Sequence, residues 1–241
     1  MSAAGPFSRR SLGRPQAEGI PMSRSLFLFV CAALLVACAG GPPPPDWQLN
    51  AHGALQRAQE AYLSGNSRVE AAEFARARAE IARTGRADLL ARVELVRCAS
   101  QVASLVLDDC TGFDRLAQDA AAPERAYARY LAGRAEVQDA ALLPSQHRAL
   151  TAPGTGGSAL AALDDPLSRL VAAGVLMRTG RADPRTIALA IDAASSQGWR
   201  RPLLAWLGLQ ALRAEQAGDS DEVARIRRRI ALVGEGAPGS R

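Results

Sequence analysis

The chain has 241 residues, 48% of them apolar and only 5% aromatic, which is enough apolar material for one or two globular domains and excludes a disordered chain. All 29 basic residues are arginine, and the net charge of +5 falls to +2 over residues 38–241. Such a weak charge excludes the strongly basic surface of a nucleic-acid-binding protein. Ala, Leu, Arg and Glu outnumber the β-branched residues, so the composition predicts an all-α fold.

The segment that begins at Met22 has the three parts of a secretory signal. It carries a positive charge at Arg24, an apolar stretch over residues 26–36 and small residues before Cys38. The apolar stretch is much shorter than the roughly 20 residues that a membrane-spanning helix needs, so we expect it to be removed. Residues 1–21 precede this signal and are predicted to be either an overcalled start or a dispensable extension.

The residues Leu35, Val36, Ala37 and Cys38 resemble the lipobox of bacterial lipoproteins. The resemblance implies that the Cys38 thiol receives diacylglycerol, that the chain is cut before Cys38, and that a fatty acid such as palmitate acylates the new amine. Each buried methylene of these chains contributes about 0.8 kcal/mol, so the anchor would be permanent. The next residue is Ala39 and not the Asp that usually marks retention in the inner membrane. The implied location is the periplasmic face of the outer membrane; the alternative is an ordinary secretory signal with an incidental Cys38.

After the four consecutive prolines 42–45, which favour a stiff polyproline spacer, the chain repeats one local pattern. An Ala/Leu-rich amphipathic run ends at a glycine, and a new helix start follows within a few residues. Ser67 and Glu70 are predicted to form a capping box at one such start. Short glycine turns between helices predict antiparallel helical hairpins.

The string Arg-Thr-Gly-Arg-Ala-Asp occurs twice, at 83–88 and 178–183, which indicates an internal repeat. The segments 61–66 and 214–219 resemble the turns of tetratricopeptide (TPR) hairpins in their small residues and Gly-Asp/Asn pair. The full TPR consensus and its regular 34-residue spacing are absent. The sequence therefore predicts an all-α fold of antiparallel hairpins, either stacked as a TPR-like solenoid or packed as an irregular helical bundle.

The middle of the chain is less regular. Helices are predicted over 113–120, 123–141 and 145–150, and the helix around 203–212 is apolar enough to lie centrally in its half of the chain. The predicted segments are an extension (1–21), a lipoprotein signal peptide (22–37), the lipidated cysteine and spacer (38–46), an N-terminal helical part (47–150), a Gly/Pro loop (151–158), a C-terminal helical part (159–233) and a flexible tail (234–241).

Two cysteines remain after removal of the signal and lipidation, Cys98 and Cys110. In an oxidising periplasm such a pair favours a disulfide, provided that the chain turns back between them. We expect Asp108 and Asp109 to supply that turn. The alternative is two buried free thiols, because Cys98 shares an apolar helix face with its neighbours.

The sequence contains no recognisable catalytic or metal-binding motif. His52 and His147 have no ligand partners at metal-binding spacing and are interpreted as surface or capping residues. Ser158 is interpreted as a loop serine, and no Glu is followed by the Ser that peptidoglycan lytic enzymes place after their general acid. The arginines between 225 and 229 are interpreted as the solvated face of the last helix.

These features predict an outer-membrane-anchored periplasmic lipoprotein that acts as a non-catalytic protein-interaction module, as an adaptor or accessory subunit of an envelope complex. Its expected partners are the membrane, through the lipid, and an envelope protein; no nucleic acid, metal or cofactor is expected. The alternatives are a cell-wall-active enzyme with an unrecognised site and a purely structural envelope lipoprotein. Helical hairpins often expose grooves that bind peptides or helices.

Overall fold

The computed structural model describes residues 43–152 and 156–235, so the extension, the signal peptide and the lipobox residues Leu35 to Cys38 lie outside the described residues. The described residues form eleven α-helices and two 3-10 helices and contain no strand, which confirms the all-α prediction. The helices are α1 Asp46–Leu63, α2 Ser67–Ala82, α3 Ala87–Ala103, α4 Thr111–Asp114, α5 Ala122–Leu131, α6 Ser145–Arg148, α7 Gly157–Ala161, α8 Pro166–Arg178, α9 Pro184–Ser196, α10 Arg200–Ala217 and α11 Ser220–Glu235. The 3-10 helices are Val137–Ala141 and Ala149–Thr151.

The helices pack mainly against their neighbours in the chain. α1 and α2 form a long hairpin, and α8 to α11 pack in succession, each against the next. α3 connects the two groups, because it packs against α1 and α2 and also against α8, and α1 contacts α10 directly. Helices of four to eighteen residues alternate with irregular segments, which fits an irregular helical bundle; the TPR-like solenoid is not confirmed.

Buried apolar side chains form two clusters of unequal size. The main cluster begins at Ala91 and continues to Ile226, with the fully buried Trp206 of α10 among its largest members. The Trp206 indole N–H donates to the carbonyl of Ala103 over 3.0 Å, so this indole is hydrogen-bonded inside the core. The smaller cluster consists of Ala51, Ala58, Phe74, Ile81 and Val93.

Gly174 sets the distance between α3 and α8. A Cβ at this position would overlap the carbonyl oxygen of Val102, so only glycine allows the two backbones to approach this closely. Val102 and the α8 residues from Leu170 to Leu176 are buried at this crossing. The contact therefore belongs to the centre of the main cluster.

The repeated string Arg-Thr-Gly-Arg-Ala-Asp lies at the start of α3 and at the start of α9, and the two helix starts differ. Gly85 and Gly180 occupy the same position in it and both have a positive φ, of 67° and 68°. Asp183 then caps α9 by accepting from the Thr186 N–H over 2.7 Å, with Pro184 at the first helical position. The equivalent Asp88 instead lies inside α3, where it binds the Arg86 side chain.

Three local predictions are wrong. The cap of α2 is Asn66, whose side chain accepts from the Val69 N–H, and Ser67 and Glu70 form no capping box. The helix predicted over 123–141 ends at Leu131, because the chain reverses at Gly133 with a φ of 69°. The helix predicted over 113–120 is the single turn Thr111–Asp114.

Within the described part of the chain, no helix combines the length and apolar character needed to span a membrane.

Candidate functional site

An open groove of about 990 Å³ lies between α2, α3 and the chain that follows α3. We call it the charged groove. Its walls are the outer side of α2, the facing side of α3, and the segment from Asp108 to Arg115. The residues that line it are Ala71, Phe74, Ala75, Arg78, Glu94, Arg97, Cys98, Gln101, Asp108, Asp109, Cys110, Thr111, Gly112, Phe113 and Arg115.

Two ion pairs join α2 to α3 in the charged groove. Arg78 of α2 pairs with Glu94 of α3, and Arg97 of α3 pairs with Glu70 of α2 at 3.1 Å. The side chains of Glu94 and Glu70 are 7% and 9% exposed, whereas both arginine side chains are 41% exposed. Each buried carboxylate thus pairs with a guanidinium that stays in contact with solvent. This pairing offsets the cost of burying the charge of the carboxylate.

Phe74 lies between these two arginines. The guanidinium carbon of Arg97 is 4.6 Å from the centre of the Phe74 ring, and that of Arg78 is 6.0 Å away. Both distances suit a cation–π interaction. The ring and the buried carboxylates together fix the two cationic groups in place.

The third wall is held to α3 by the bond between Cys98 and Cys110, whose Cα atoms are 5.9 Å apart. The structure therefore places the predicted pair at disulfide distance. The reversal between them occurs earlier than predicted, because α3 ends at Ala103 and Leu105 has a positive φ of 59°. The Val106 N–H donates to the Gln101 carbonyl over 3.0 Å, and this hydrogen bond terminates the helix. The prediction that Asp108 and Asp109 make the turn is wrong.

Gly112 lets the third wall approach α3. A Cβ on Gly112 would overlap the carboxylate of Glu94, the same group that pairs with Arg78. The segment beyond the disulfide can therefore pass directly over this ion pair. Phe113, 4% exposed, then anchors the segment in the main cluster.

A second group of ionisable residues lies inside the main cluster. His147 is buried, with its Nδ1 3.3 Å from the Tyr130 hydroxyl and its ring against Tyr127 and Tyr130. Burial lowers the pKa of His147 to about 4, which the nearby Asp165 only partly opposes. Burial also raises the pKa of both tyrosines. These groups stay neutral at physiological pH, and the interpretation of His147 as a surface or capping residue is wrong.

The other residues interpreted in the sequence analysis lie outside the charged groove. His52 is exposed, as expected, and Ser158 lies in α7 and not in a loop. Arg225 and Arg227 lie on the solvated side of α11, paired with Glu222 and Glu215. Within the described residues, no three or more His, Cys, Asp or Glu side chains cluster as they would around a metal ion.

No sequence pattern predicts the charged groove. Its ion pairs join residues that are 16 to 27 positions apart on two different helices, so no local motif marks them. The one signal was the pair Cys98 and Cys110, which brings the third wall to α3. In chemical terms the groove offers fixed cationic and anionic groups and a covalently held wall.

No family model, no curated protein and no solved structure matches this chain.

Proposed function

We propose that the protein is an outer-membrane-anchored periplasmic lipoprotein that acts as a non-catalytic interaction module, an adaptor or accessory subunit of an envelope complex. The charged groove is where its partner protein binds. The observation that carries this proposal is the pairing of the charged side chains within the groove: Arg78 with Glu94, and Arg97 with Glu70. Groups held in this way suit the recognition of a polar surface, because their positions are fixed before the partner arrives.

The groove is large enough for a segment of a partner protein. Its volume of about 990 Å³ lies at the upper end of typical binding pockets, and it is open along the surface. Arginine is enriched at protein interfaces, and three arginines line this groove: Arg78, Arg97 and Arg115.

Site-specific photo-crosslinking in cells tests the groove. A photoreactive residue at the exposed Ala75 of α2 should crosslink to one reproducible envelope protein, identified by mass spectrometry. The same residue at Ala188, which is exposed on α9 away from the groove residues, is the matched control. Arg115→Glu should weaken the Ala75 crosslink. Equal crosslinking from both positions, or none from Ala75, contradicts the proposed site.

The absence of lysine gives a sharp test of the anchor, because the α-amino group is then the only primary amine of the chain. Acylation at Cys38 would remove it. The membrane-purified protein should therefore not react with an amine-directed dye, whereas Cys38→Ser should take up one dye per chain. Equal labelling of the two forms, or equal incorporation of labelled palmitate, contradicts the lipid anchor.

A further inference from the structure

No residue of the hairpin of α1 and α2 belongs to the main apolar cluster. We infer that this hairpin is a hinged arm, held closed against α3 and α10 by polar contacts, and that its movement opens and closes the charged groove. The inference concerns the domain alone; its consequence for partner binding rests on the proposed function.

The arm has an apolar cluster of its own. Four of the five buried residues of the smaller cluster lie in α1 and α2; the fifth is Val93 of α3, and the partly buried Leu89 and Leu90 of α3 pack against the cluster. No residue of α1 or α2 belongs to the main cluster, which starts at Ala91. Apolar burial is the largest stabilising contribution to packing, so its division into two clusters makes the arm a candidate for independent opening.

Polar contacts also hold the arm to α3. Besides the ion pairs of Arg78 and Arg97, the Gln59 amide of α1 donates to the Ser100 hydroxyl of α3 over 3.2 Å. The two arginines are partly exposed, so dissolved salt screens their ion pairs. The arm should therefore be held less firmly at high ionic strength.

The contacts between the arm and α10 are polar as well. Arg201 donates to the Tyr62 carbonyl over 2.7 Å and to the Ser67 hydroxyl over 2.8 Å, and its guanidinium stacks on the Tyr62 ring at 4.3 Å. The Trp199 indole N–H donates to the Glu60 carboxylate over 3.2 Å. These contacts join residues more than 130 positions apart and close the free end of the arm onto the C-terminal helices.

The turn between α2 and α3 is where the arm is joined covalently to the helices that follow. It contains Gly85, whose φ is 67°, and a Cβ there would have no neighbour within 4 Å. A short turn of this kind can take up the change in backbone angles that a hinge needs. Rotation at this turn separates the arm from α10 without breaking the chain.

Opening the arm would change the charged groove directly. Ala71, Phe74, Ala75 and Arg78 line the groove from α2, whereas the third wall is held to α3 by the disulfide. The α2 wall would move, and its ion pairs with α3 would break, while the other two walls would stay together. The paired groups are therefore fixed in the closed form of the arm. A partner that contacts both α2 and the third wall would hold the arm closed.

Hydrogen exchange measured by mass spectrometry on the complete mature protein tests the arm. We expect the amides of α1 and α2 to exchange at least tenfold faster than those of α8, and Arg201→Gln to accelerate only α1 and α2, by about tenfold more. The matched control is Arg213→Gln, because Arg213 is also on α10 and donates to a backbone carbonyl, that of Ala182, outside the arm.

A second measurement needs no variant. Raising sodium chloride from about 0.1 M to about 1 M should accelerate exchange in α1 and α2 of the wild type several-fold while leaving α8 unchanged. Exchange of α1 and α2 at the rate of α8, or equal acceleration of all helices, overturns the inference. A failed crosslink at Ala75 would count against the proposed function and not against the arm, so the two failures can be told apart.

Discussion

Gly174 controls the closest approach of two helices, because a methyl group there would overlap the Val102 carbonyl. Gly174→Ala should lower the free energy of unfolding by about 1–3 kcal/mol, the usual cost of overpacking, although alanine favours the helix. Gly208→Ala is the matched control, since Gly208 is an exposed helical glycine where an added methyl group would meet no atom within 4 Å; this change should raise the free energy of unfolding by about 0.5–1 kcal/mol. Urea unfolding followed by circular dichroism measures both, and equal effects would contradict the close approach.

His147 should make stability depend on pH. Its pKa of about 4 in the folded protein is below the value near 6.5 of an unfolded chain, so below pH 6.5 the unfolded chain takes up the proton first. The free energy of unfolding should then fall by up to about 1.4 kcal/mol per pH unit as the pH drops from 6.5 towards 4.

The control for this pH dependence is the other histidine. His147→Gln should flatten the decline between pH 6.5 and 4.5, whereas His52→Gln, at an exposed position, should retain it. Urea unfolding at several pH values gives the slopes. The Arg129 side chain lowers the pKa of Asp139 to about 2, so this carboxylate contributes only at lower pH. A slope that survives in His147→Gln would assign the effect to other groups.

At the scale of the elements, the segment after α3 depends on the bond between Cys98 and Cys110. Replacing both cysteines by alanine should lower the free energy of unfolding by about 3 kcal/mol, because the unfolded chain regains the freedom of a loop of about a dozen residues. Guanidinium unfolding with and without a thiol reductant measures this. The reductant should lower the free energy of unfolding of the wild type by a similar amount and should not change that of the double variant. If the reductant destabilised both proteins equally, the effect would not come from the disulfide.

The sequence predicted the elements where apolar periodicity and caps agree, and failed where tertiary contacts decide. The all-α class and the turns between helices at Gly85 and Gly180 were confirmed. The two copies of the string are identical, so they did not show that Asp88 lies inside α3 whereas Asp183 caps α9. Only the second copy is followed by a proline, Pro184, which has no N–H to donate and suits the first helical position. The break near Gly133 was missed because the flanking residues favour helix.

The candidate site was harder to predict than the fold. Arg97 and Glu70 look like surface residues in the sequence, because charged side chains alternate along both helices. Their partnership depends on how α2 and α3 pack, which no local pattern encodes. Buried His147 was missed for the same reason: its neighbours Tyr127 and Tyr130 come from a different helix.

At the scale of the whole molecule, the main cluster continues on both sides of the 151–158 segment. Leu143 and Leu150 before it and Leu160 and Leu170 after it belong to the same cluster. A specific protease site inserted after Ala152 should therefore give two fragments that remain associated after cleavage, because the shared cluster holds them. Size-exclusion chromatography would show one peak containing both fragments, and separation without denaturant would contradict a continuous core.

The arm also determines how the protein would respond to tension. Residues 43–45 lead directly into α1, so a pull on this end of the chain loads the arm before any other helix. The polar contacts with α3 and α10 would yield first, and the main cluster would bear the load only after the arm had peeled away. When the domain is stretched from this end, it should extend in two steps, and the arm should extend first.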